Sequence, residues 1–334
     1  MVIFLSVFCT MLGCTFPKQK KTEFEKMEEL LDSLGIHTID SLDFITILLE
    51  KELLYDKYTL EDQYEYQERK REFQWDKIQN RLAYTELIQT KKRIWGVLQN
   101  YKNRNGEAVV VPNYVRNAYG RVSDTLGVER YQSVPLYFIS DTTTAVRYGR
   151  DGWIVEVLDT LWSEDFATVK GISFDETWQI PKRYLKVLGD TLLFNHIVFV
   201  DVTNQNITTV EKQLLKSSWF IRSMNPATTG RHRPPYAQET PTGLFLLQEK
   251  KPKMYYLKDG SSALGGFAPY ANRFTNGAYI HGVPVAHPRR SIIEYSYSLG
   301  TTPRSHMCVR NASSHAQFIY EWGPVNQTLI YIID

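Results

Sequence analysis

The chain has 334 residues, 43% of them hydrophobic and 23% charged, with a net charge of +2 at pH 7. That length and composition fit an ordinary folded protein of two or three domains with a substantial core. From Asn195 onward there are 14 Lys/Arg against 8 Asp/Glu, a balance of +6 that leaves −4 for the preceding part; the basic C-terminal part suits a carboxylate-bearing substrate, and without Lys/Arg clusters interleaved with aromatics it excludes a nucleic-acid partner.

The first fourteen residues, Met1 to Cys14, form an apolar run too short to span a bilayer, followed by Lys18-Gln19-Lys20-Lys21. Residues 1–21 therefore read as a secretory leader. Within it Met11-Leu12-Gly13-Cys14 resembles a bacterial lipobox, with Met11 and Leu12 departing from the commonest residues of that motif. The resemblance implies lipidation of Cys14 and an exported, periplasmic or cell-envelope protein that meets the membrane only through that anchor; a plain signal peptide is the alternative. Loss of Cys9 with the leader and lipidation of Cys14 would leave Cys308 without an intramolecular disulfide partner.

Residues 22–105 read as helical. Met27, Leu30, Leu31 and Leu34 recur at helical spacing before Gly35. A second helix is expected from Asp40 or Ser41 through Leu42, Ile45, Leu48 and Leu49. Thr59-Leu60-Glu61-Asp62 reads as a capping box ahead of a long segment with Phe73, Trp75, Ile78, Leu82, Ile94, Trp95 and Leu98 on its apolar side. After Asn105-Gly106, residues 106–194 read as a small β module. Its short strands are Val109–Val111, Leu136–Ile139, Trp153–Val157 and Trp178–Pro181, a texture shared by SH3-like barrels and by plain all-β spacers. Residues 195–334 open on the β-prone Ile197–Val202 and alternate strands with Pro/Gly/Thr-rich loops, and only Ser313 to Trp322 reads as helix there. The expected class is α+β and multidomain.

Chemistry points to Cys308 in Ser305-His306-Met307-Cys308-Val309-Arg310. A thiolate nucleophile needs a base or cation nearby. His281 ends the strand-like Ala278–His281 and precedes Gly282, and His306 lies two residues before Cys308, on the same face if the chain is extended. Backbone N–H groups at Met307 and Cys308 could supply oxyanion donors. His287 is a second candidate base, without the strand-then-Gly context. His196, His232, His287 and His315 show no ligand spacing, so no metal is expected. Tyr270 and Tyr279 either line the cleft or pack.

These residues resemble the L,D-transpeptidase catalytic domain of the YkuD-like family, whose pattern is a His-Gly after a strand, then Ser/Thr-His-Gly-Cys-hydrophobic-Arg/Asn. Val200–Asn206, Thr240-Pro241-Thr242-Gly243 and Leu329–Ile333 add to the likeness, which covers about residues 195–334. The resemblance implies a β-rich sandwich-like fold with no cofactor. It implies peptidoglycan stem peptides as substrates, carbapenem-type β-lactams as inhibitors, and transfer of an acyl group from a tetrapeptide stem through Cys308 to an amine. It assigns His281 as the base and gives Ser305, His306, Met307, Gly282 and Arg310 site-shaping or substrate-binding places. Met307 stands where the family has glycine, and the interval from His281 to Ser305 is longer than usual. A carboxypeptidase or endopeptidase using water, or a degenerate wall-binding protein, are the rival readings.

Overall fold

The most β-prone run of the sequence becomes the strand His196–Asp201, buried on both faces and placed in the interior of a six-stranded sheet. The structure, a computed structural model, describes residues 46–161, 163–213 and 218–334. The leader, Cys14 and the helix expected around Met27 to Leu34 lie outside the described residues. The sheet order is Leu48–Lys51, Ser218–Pro226, Asn206–Lys212, His196–Asp201, Thr328–Ile333 and Gly243–Leu246. His196–Asp201 pairs antiparallel with Asn206–Lys212 and parallel with Thr328–Ile333. Such continuous apolar runs suit strands covered on both sides.

A seven-stranded sheet runs in the order Leu185–Gly189, Trp95–Leu98, Ile154–Asp159, Phe166–Gly171, Thr177–Pro181, Ser133–Phe138 and Asp141–Arg150. The third sheet carries Glu249–Leu257, Leu264–Thr275, Ala278–His281 and Val309–Arg310, with Val285–Ala286 paired to Leu264–Thr275. Among the described residues there are two α-helices, Trp75–Gln89 and Ser313–Trp322, and neither is long and apolar enough to cross a membrane.

The helical reading of residues 46–105 is corrected by these pairings. Leu48 and Leu49 sit in a strand parallel to Ser218 and Trp219. The Thr59 hydroxyl donates to the Asp56 carbonyl at 2.7 Å instead of capping a helix, and Gln63–Tyr66 pairs with Arg69–Glu72 as a hairpin. A helix does follow at Trp75, yet Trp95-Gly96-Val97-Leu98 leaves it and is buried at every position. Gly96 shows why: a Cβ there would meet Leu185 Cδ1 and Val157 Cγ2 at 2.8 Å, so this segment is wedged between two strands. The expected Val109–Val111 strand is also absent; Val111 N–H donates instead to the Tyr148 hydroxyl at 3.1 Å.

The two larger sheets are not separately cored. Leu136, Val155 and Trp178 of the seven-stranded sheet belong to one buried apolar cluster with Val200, Phe245, Ile280 and Val309. Asp151, fully buried at the Asp151-Gly152 turn, pairs with Arg273 at 2.5 Å and accepts N–H bonds from Asn100 and Asn276 at 2.9 Å. Gly152 is required there, since its φ is +89° and a Cβ would lie 2.0 Å from the Phe274 carbonyl oxygen.

Candidate active site

Parallel pairing of Ala278–His281 with Val309–Arg310 sets the site. Ile280 is opposite Val309 and His281 opposite Arg310, so Cys308 enters the ladder beside Tyr279. Because strand side chains alternate, Tyr279, His281, Cys308 and Arg310 share one face. Tyr279 and Cys308 indeed fall in one small cluster with Ala271.

Cys308 is 8% exposed. Its thiol donates to the Gly277 carbonyl at 3.6 Å, and burial pushes its pKa up to about 11 although the Tyr279 N–H and the Arg310 guanidinium favour the thiolate. His281 is 3% exposed, and its Nδ1–H donates to the Gly282 carbonyl at 2.7 Å. A carbonyl can only accept, so this bond fixes the tautomer and leaves the Nε2 lone pair available. Burial pulls the imidazole down to about 4; the Gly282 bond opposes that shift and Arg310 adds to it. Both shifts favour the neutral forms near pH 7, a thiol and an unprotonated imidazole rather than a preformed thiolate with an imidazolium.

Gly282 has a packing reason. A Cβ on it would meet Ser313 Oγ at 2.6 Å and Pro269 Cγ at 2.9 Å. Ser305 is buried and its hydroxyl donates to the Cys308 carbonyl, closing the turn that presents the sulfur.

Met307 is at φ +71°, the left-handed region that favours glycine. Its N–H donates to the Gln238 carbonyl at 2.8 Å and its carbonyl accepts from Thr240 Oγ1 at 2.9 Å. The expectation that both Met307 and Cys308 N–H groups serve an oxyanion is therefore corrected. The loop at Gln238 consumes the first donor, and the Cys308 N–H is the one without a backbone partner among the described residues. The Met307 side chain is partly buried against the main apolar cluster. Met307→Gly is accordingly expected to change unfolding free energy by less than about 1 kcal/mol, because relief of about 1–2 kcal/mol of backbone strain is offset by lost apolar burial of similar size. Denaturant unfolding of the two proteins checks it.

The same left-handed residue removes the extended geometry that would have put His306 and Cys308 on one face. His306 points outward, with Nδ1 3.4 Å from Asp259 Oδ1. His287 is exposed in the turn after Val285–Ala286. His232 pairs with Glu239 at 2.5 Å, and His315 is buried against Asn311 and Ser223. The Tyr279 hydroxyl is engaged by Lys251 Nζ at 3.1 Å and Tyr101 at 3.2 Å, so its place beside the sulfur is a matter of its ring and backbone. The Gly277 carbonyl and Gln238 went unrecognised in the sequence. Alternation from His281 back to Tyr279 was readable there, whereas the loop crossing that brings Gln238 to Met307 left no local signal.

Residues 195–332 match the YkuD family, described as the L,D-transpeptidase catalytic domain. Among curated proteins none matches the chain. Solved structures similar to parts of it include a fused Zn-dependent amidase/peptidase/peptidoglycan-binding domain-containing protein from Clostridium acetobutylicum, at 18% identity and TM-score 0.30. That likeness covers 41% of this chain and 51% of the other, so the chain spans about half its length. An L,D-transpeptidase from Mycobacterium smegmatis is similar at 16% identity over 54% of this chain and 82% of its own, TM-score 0.34. L,D-transpeptidase 3 from Mycobacterium tuberculosis, with a faropenem-derived adduct, is similar at 14% identity over 56% and 93%, TM-score 0.33. The stretch that matches the YkuD family model, Asn195 to Ile332, contains His281, Gly282 and the Ser305–Arg310 turn.

Proposed function

We propose that this domain is a peptidoglycan L,D-transpeptidase with Cys308 as nucleophile and His281 as general base. The observation that carries the reading is the His281 tautomer: the Gly282 carbonyl holds the Nδ1 proton, leaving Nε2 to take a proton on the face shared with the thiol. In the first step Nε2 removes the thiol proton as sulfur attacks the carbonyl of the third residue of a tetrapeptide stem. The Cys308 N–H donates to the developing oxyanion. Collapse breaks the amide, the imidazolium returns its proton to the leaving nitrogen, and D-alanine departs with a thioester left on Cys308. An amine of a second stem attacks that thioester, yielding its proton to Nε2, and the new amide releases the thiol.

Peptidoglycan lies outside the cytoplasmic membrane, so this reading requires export, which the leader at residues 1–21 would supply, with Cys14 as anchor. Ser305 and Met307 act by shaping the turn, and His306 by closing its outer side against Asp259. Incubation with purified tetrapeptide stems is expected to give dimers joined between third-position residues, together with free D-alanine. Trimmed tripeptide monomers without dimers would assign water as the acceptor instead. A carbapenem, a strained acyl donor, is expected to add its mass to Cys308; turnover of neither compound would leave a wall-binding role.

A further inference from the structure

The loop that holds Met307 is itself held from the preceding β module. Val115–Arg116 and Val122–Ser123 form a two-stranded hairpin, continued by a bridge between Ser123 and Glu129. This hairpin lies outside residues 195–332, the stretch that matches the family. Glu129 is buried; its Oε1 accepts from Gln238 Nε2 and, at 2.7 Å, from Asn117 Nδ2, and its Oε2 pairs with Arg121 at 3.0 Å. Arg121 donates in turn to Gln238 Oε1 at 3.0 Å. Both ends of the Gln238 amide are therefore gripped, its donor by a carboxylate and its acceptor by a guanidinium. A second attachment follows one residue on, where the Tyr119 hydroxyl donates to Glu239 Oε2 at 2.7 Å.

The gripped residue reaches the Cys308 turn through its backbone. The Gln238 carbonyl takes the Met307 N–H, and two residues later Thr240 Oγ1 donates to the Met307 carbonyl while accepting the Gly230 N–H at 2.8 Å. Gly230 lets the three segments meet, since a Cβ on it would lie 2.4 Å from the Gln238 carbonyl oxygen and 2.8 Å from Met307 Cα. Met307 needs such holding. At φ +71° it occupies a region that an unconstrained L residue populates about 5- to 30-fold less than its right-handed or extended forms. Released, the backbone would leave that region and re-aim both the Cys308 N–H and its sulfur.

We propose that Glu129, together with Arg121, is a positioning residue for acylation of Cys308: acting through Gln238, the hairpin of the β module holds the left-handed backbone that a glycine would adopt unaided. The clamp and the methionine are thus two parts of one device. A turn built on Met307 depends on a carboxylate outside its own domain. The kinetic readout of this proposal rests on the acyl-transfer reading above, whereas its structural readout does not.

The test is a double-mutant cycle on the full chain. Glu129→Ala is expected to lower the maximal rate of Cys308 acylation by a carbapenem about 5- to 30-fold, read by intact mass, with the half-saturating concentration little changed. Hydrogen exchange at the Met307 amide, followed by NMR, is expected to quicken by about the same factor. In the Met307→Gly background the same substitution is expected to cost less than about threefold, because glycine takes the left-handed backbone without the clamp. Gln238→Ala keeps the backbone carbonyl and removes only the half-buried handle, so it is expected to reproduce both effects even if Glu129→Ala fails to fold. A loss of equal size in both backgrounds overturns the proposal, since glycine would not relieve a merely structural defect. Full acylation rates in Glu129→Ala and Gln238→Ala also overturn it and leave acyl transfer standing. If no form of the protein is acylated, the acyl-transfer reading falls and exchange decides: a faster Met307 amide in the variants upholds the clamp, and an unchanged one overturns it.

Discussion

Replacing Cys308 with alanine is expected to lower stem crosslinking by about 10⁵-fold or more, because the substitution deletes the atom that forms the acyl intermediate. The Tyr279 hydroxyl, on the same face, is engaged by Lys251 and Tyr101. Intact-mass spectra of the variant should show no carbapenem adduct. Among the described residues the thiol's one hydrogen-bond acceptor is the Gly277 carbonyl at the long distance of 3.6 Å, so the fold should lose no more than about 1 kcal/mol, which a denaturant titration measures. An undiminished adduct on Cys308→Ala would place the nucleophile elsewhere.

Removal of the base by His281→Ala is expected to cost about 10³–10⁴-fold in acylation at pH 7. The pH profile is the sharper readout. With His281 pulled down to about 4, the base of the unsubstituted enzyme stays unprotonated across the neutral range, and kcat/KM should be flat from about pH 6 to 8 and fall only as pH drops toward 4. With the thiol pushed up to about 11, the variant must wait for solvent to deprotonate it; its rate should climb about tenfold per pH unit above neutrality. A variant with a flat profile near neutrality would mean that another group takes the proton. A profile falling below pH 6.5 in the unsubstituted protein would mean that the imidazole is not buried during turnover.

The C-terminal part was legible because its signals are local. The β-prone run Ile197–Val202 becomes the strand His196–Asp201, Thr240-Pro241-Thr242-Gly243 leads into the strand Gly243–Leu246 that carries Phe245, and the expected helix Ser313–Trp322 forms. His281 and Cys308 were readable as strand-end and turn residues. What failed was reading 3.6-residue spacing in residues 46–105, where Trp95–Leu98 packs as an interior strand whose partners, Leu185–Gly189 and Ile154–Asp159, lie far along the chain. Register with distant partners decides such a segment, and no window around it contains them. The role of His306 failed for a related reason: alternation holds only while the backbone is extended, and Met307 reverses it in one residue.

The shared interior also bears on inheritance. Trp178 and Leu136 lean on the same oily mass as Val309, the residue that follows the reactive sulfur. Insertions or losses in the preceding β module therefore reach the chemistry through this packing as well as through the Asp151–Arg273 pair, and the two halves of this unit must drift together: a swap of the front half from a distant cousin would arrive with its own hydrophobic relief and fit poorly beneath the strand that aims the thiol.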